Sequence, residues 1–78
     1  MGKIRRISVG PDVKDCMVYF VGQELMNGSY KIHAIVERSD SYVVEVSRKA
    51  FHGHSDEILE WKSISKHTPH VVEYNLDI

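Results

Sequence analysis

Between Phe20 and Arg48 apolar side chains recur at every second position, and the runs are interrupted at Asn27-Gly28-Ser29 and Ser39-Asp40-Ser41. A period of two sends alternate side chains to opposite faces of an extended chain, whereas a helix needs a period near 3.6. Tyr30, Ile32, Ala34 and Val36 therefore share one face, with Lys31, His33 and Glu37 on the other, and Tyr42, Val44 and Val46 repeat the pattern against Glu45 and Ser47. The residues at the breaks adopt left-handed backbone or bond their own main chain, which reverses it. The stretch reads as a β-meander, and an all-β fold follows.

The flanks extend this pattern. Lys3 to Val9 forms a first strand with Ile7 and Val9 on one face, ended by Gly10-Pro11-Asp12. Met17 to Val21 is a continuous apolar run, and Gly22 marks the point where the strand bends or switches faces. Lys49 to Asp56 reads as a long exposed loop. In Glu57 to Ile64 the apolar residues scatter around a helical projection, while an extended chain puts Leu59 and Trp61 together, so strand is the better reading. After Pro69, the segment His70 to Ile78 alternates again. These elements predict one domain over residues 1–78, a small, strongly bent five- to six-stranded antiparallel meander or SH3-like barrel. Its core is expected to hold Ile32, Val36, Val44, Trp61, Val72 and Tyr74. A buried Trp61 replaced by alanine would cost about 3–5 kcal/mol.

The segment Phe20-Val21-Gly22-Gln23-Glu24-Leu25, continued through Tyr30 to Val36, resembles the opening strands of SH3-like barrels. The resemblance covers about half the chain. It implies a bent hairpin leading into a small barrel and no particular binding residues.

A chain of 78 residues buries only about 60–65% of its unfolded surface, so its core is marginal and a partner would add to it. Cys16 is the one cysteine and has no internal disulfide partner. No apolar stretch is long enough for a signal peptide or a membrane span, so a cytoplasmic location without membrane contact is expected. The net charge of −1 opposes a large phosphate-binding surface, but residues 1–54 carry a balance of +2 and residues 55–78 a balance of −3. Two differently charged patches would orient a partner.

Three chemistries compete. His52 and His54, with Asp56, have the spacing at which an extended segment aims two imidazoles the same way, a partial zinc site that His67 and His70 would complete only if the loop meets the last turn. The simpler reading is solvated loop histidines, so no metal or other cofactor is expected. Nucleic acid is the alternative, with Arg5, Arg6, Lys31, His33 and Arg38, aided by Lys3, Arg48 and Lys49, along one side and Tyr19 or Tyr42 stacking. Against it, Tyr30, Tyr42, Trp61 and Tyr74 fall in phase with aliphatic residues, as core residues do.

Catalysis has little to stand on. Cys16 adjoins an apolar run and reads as a small buried hydrophobe, Glu57 and Glu60 as a solvated edge, and no nucleophile turn or phosphate-cradling glycine loop is present. The expectation is a small non-enzymatic protein–protein interaction module, an inhibitor, adaptor or accessory protein of the kind phages and mobile elements encode. Its contact residues would be Arg48, Lys49, Phe51, His52 and His54, with a homodimer formed through the terminal edge strand Val71 to Ile78.

Overall fold

The computed structural model describes residues 3–48 and 57–75. Among them are seven strands and no helix: β1 (Ile4–Val9), β2 (Met17–Phe20), β3 (Glu24–Leu25), β4 (Tyr30–Glu37), β5 (Ser41–Arg48), β6 (Glu57–Ser65) and β7 (His70–Tyr74). Every pairing is antiparallel. The main path runs β2-β1-β4-β5-β6, with β3 on β4 and β7 on β1. The meander is as expected, and Glu57 to Ile64 is strand. The count exceeds the expected five to six because the second strand is split in two at Gly22.

That split is the corner of the sheet. The Val21 N–H donates to the Arg5 carbonyl at 2.9 Å, while the next N–H, of Gly22, donates to the Ile32 carbonyl at 2.9 Å. Within one residue the chain passes from β1 to β4. Gly22 has φ +96°, a region L side chains avoid, although a Cβ there would meet nothing within 4 Å. Backbone angle, not space, requires glycine at this corner.

The sheet curls without closing. Ile7 pairs with Tyr19 on one edge of β1 and with Val72 on the other, and Ile4 pairs with Ile35 and Tyr74 in the same way, so β2 and β4 share one edge of β1 and β7 takes the other. Three strand spacings therefore separate β7 from β5, about 14 Å if flat, yet the Tyr42 ring of β5 meets His70 of β7 edge-on at 5.1 Å, and the Lys62 Nζ of β6 donates to the Tyr19 hydroxyl at 3.5 Å. Side chains bridge the gap between β6 and β7, which do not pair. The enclosed core is Ile4, Ile7, Tyr19, Ile32, Ile35, Tyr42, Val44, Val46 and Ile64.

Three bulges redirect the alternation, and they account for the differences from the expected core. In β4 the register shifts between Ile32 and Ala34, so Ile35 follows Ile32 inward and Val36 is half-buried outside the core cluster. In β1 the shift between Ile4 and Arg6 brings Ile4 and Ile7 inward together. In β6 it falls where Val44 opposes Lys62 and Glu45 opposes Glu60, leaving Trp61 as the extra residue. Trp61 is 38% exposed and Tyr74 48%, so neither belongs to the core, while Val72 packs against it from the rim. One inserted residue reverses the facing of everything beyond it.

Candidate interaction surfaces

The first surface lies on β6. Of its nine residues only Ile64 is buried, and Ile58, Leu59 and Trp61 are each more than a third exposed. Leu59 opposes Val46, a core residue, and the Trp61 ring lies 5.3 Å from that of Tyr30 at 51°. The β6 bulge turns Trp61 out of register and leaves Lys62 opposite buried Val44, where its ammonium extends 5.7 Å from the Tyr19 ring centre. The result is an aromatic and aliphatic strip at the open end of the sheet. Periodicity could not show it, because these residues are in phase with core aliphatics; only the bulge separates them.

The second surface surrounds Val21. Two hollows of about 460 and 400 Å³ both have Val21 in their walls. Lys3, His33, Glu37 and Tyr74 line the larger, and Arg5, Arg6, Val18 and Phe20 the smaller. Arg6 is the cross-strand neighbour of Phe20, a residue 45% exposed. Of the basic residues expected to act together, Arg5, Arg6 and His33 converge here with Lys3. Lys31, opposite Ser47 on β4, and Arg38, at the β4–β5 turn, line neither hollow. Tyr19 and Tyr42, expected to stack on bases, are buried in the core, which corrects that assignment. Phe20 is the exposed aromatic beside Arg5 and Arg6, and Tyr74 the one beside Lys3.

Several other residues are tied into local structure. Arg48 Nη2 donates to Glu57 Oε2 at 2.7 Å, so the arginine closes the base of the β5–β6 connection. Lys49, Phe51, His52, His54 and Asp56, and Leu76 to Ile78, lie outside the described residues. His70 Nδ1 lies 2.6 Å from the Thr68 carbonyl, a contact that requires that nitrogen to carry the proton and donate. The half-buried Cys16 thiol donates to the Val13 carbonyl at 3.5 Å. Glu57 is in its ion pair and Glu60 faces Glu45 across the strands, so the two acids do not converge on a reacting centre.

The strongest electrostatic cluster is Glu37, Lys66 and Tyr74. Lys66 Nζ donates to Glu37 Oε2 at 2.8 Å and the Tyr74 hydroxyl to Oε1 at 3.3 Å. The hydrogen bond and charge of Lys66 hold the Glu37 carboxyl below its ordinary value, and the hydrogen bond that Lys66 donates to Glu37 raises the lysine in turn. Desolvation, then the Glu37 charge, raises the Tyr74 phenol. The cluster links β4, the β6–β7 turn and β7 across the sheet gap, a structural task.

Among the described residues no group of three or more His, Cys, Asp or Glu is placed to hold a metal ion, and no helix is long and apolar enough to cross a membrane. No protein-family model, curated protein or solved structure matches the chain.

Proposed function

We propose that this protein is a small non-enzymatic protein–protein interaction module, an open relative of the SH3-like barrel that docks a protein partner on the Tyr30–Leu59–Trp61 strip. The observation carrying this reading is the exposure of Ile58, Leu59 and Trp61 along the nine-residue strand β6, with the Trp61 ring resting on the half-buried Tyr30 of β4. Aromatic side chains that are rigid and partly desolvated are the usual energetic centres of protein interfaces.

The test is affinity capture from nuclease-treated lysate with the native chain and with Leu59→Ser plus Trp61→Ser, circular dichroism confirming that the variant keeps its strands. A protein retained by the native chain and lost by the variant supports the module. If nuclease removes every partner, nucleic acid takes its place. Self-association is a second form of the same reading, favoured by the outer edge of β7, which pairs on one side with β1 and with no other described strand.

A further inference from the structure

We infer that the furrow around Val21 binds single-stranded nucleic acid, with Lys3, Arg5 and Arg6 on successive phosphates and the Phe20 ring as a platform for a base. The site draws on β1, β2, β4 and β7 and on no residue of β6, so it does not depend on the protein-docking reading. Its parts are held by backbone pairing. The register Arg6↔Phe20 projects the guanidinium and the ring from one face of neighbouring strands, and the Val21 N–H bonded to the Arg5 carbonyl at 2.9 Å fixes the second arginine beside the corner. From there the larger hollow continues past His33 to Lys3.

Among the described residues Glu73, Glu37 and Asp12 stand near these cations, and each is engaged, Asp12 accepting from the Lys14 and Asp15 N–H groups. Glu73 bonds Arg5 at 3.5 Å between two exposed side chains, a weak pair that a phosphate would displace. Glu37 is held by Lys66 and Tyr74. An acidic peptide would use the charges but has no need of a flat, solvent-facing phenyl ring beside them, whereas every base has a π-face to lay on it. Phosphate and base together account for both halves of the furrow.

The experiment is fluorescence anisotropy with a labelled oligothymidylate of about 12 nucleotides, a length within the range one small barrel occupies. Salt is varied from about 50 to 200 mM. Three phosphate contacts predict a slope of log affinity on log salt near −2, falling to about −0.7 in Arg5→Ala plus Arg6→Ala. Phe20→Ala is expected to weaken binding about five-fold or more with the slope unchanged, and Phe20→Trp to restore it. Glu73→Gln should bind more tightly than the native chain. Absence of saturable binding at the lowest salt, or binding that the arginine and Phe20 substitutions leave unaltered, overturns the inference. So does an oligoglutamate peptide that competes as well as unlabelled oligonucleotide, since the furrow would then belong to an acidic protein segment.

Discussion

At the scale of single residues, Trp61 and two glycines carry the clearest consequences. Because Trp61 is 38% exposed and rests on Tyr30, its replacement by alanine is expected to cost about 1–2 kcal/mol, and not the 3–5 kcal/mol of a buried ring. A thermal melt that drops far enough to unfold the domain at room temperature would put the ring in the core after all. Gly22 and Gly10 are required for different reasons. Gly22→Ala meets open space and carries only the backbone penalty of about 1–2 kcal/mol. At Gly10, φ is +143° and a Cβ would lie 2.7 Å from the Cys16 Cα and closer still to the Asp15 carbonyl oxygen, so alanine must displace the 10–16 loop. Chemical denaturation should therefore rank Gly10→Ala as the more damaging change; the reverse order would mean that the loop yields freely.

At the scale of elements, β6 presents a contradiction that its details resolve. A nine-residue strand that pairs with β5 and with no other described strand offers an edge to which another chain could add. Yet it carries a bulge at Trp61 and an inward-pointing Lys62, two features that make a continuous ladder on that edge unfavourable. The side chains of β6 are thus available for contact while its backbone is guarded. Lys62→Val should remove the guard and form larger species than the native chain at the same concentration, as read by light scattering. Equal particle sizes would leave Lys62 with only its contact to the Tyr19 ring.

At the scale of the whole molecule, the unclosed sheet makes its ends depend on side-chain bridges. The radius of gyration is 13.5 Å, against about 11.5 Å for a compact chain of this length. The Glu37–Lys66–Tyr74 cluster spans the gap, and its pH dependence follows from its charges. Glu37 is depressed in the folded state, so its contribution is present above the ordinary 4.5 and is lost as pH falls through the lowered folded value. Lys66 and Tyr74 are raised, so theirs is complete below 10.5 and 10.0 respectively and is lost as pH rises through the higher folded values. Glu37→Gln should lower the thermal midpoint near neutral pH, and the difference from the native chain should begin to close as pH falls below 4.5 and vanish once it passes the lowered folded value. A constant difference across the acid range would show that the carboxylate charge is not what bridges the gap.

Local periodicity and turn chemistry were enough to identify strands at Tyr30–Glu37, Ser41–Arg48 and Glu57–Ser65, and the bend at Gly22, because alternation and glycine conformation are properties of a few adjacent residues. The same reading set Ile32, Val44 and Val46 on one face correctly, since no bulge intervenes in β5. It misassigned Val36, Trp61 and Tyr74. A bulge is specified by the partner strand's register and leaves no mark in the alternation of its own strand, so His33 and Trp61 looked like ordinary positions. The candidate site divides the same way. That Arg5 and Arg6 are adjacent is a fact of sequence, but their meeting with Phe20, Val21 and His33 depends on β2 pairing with β1 and the corner passing to β4. Long-range pairing decided which cations converge and which aromatics face solvent, because only the register between paired strands determines where each alternating face points.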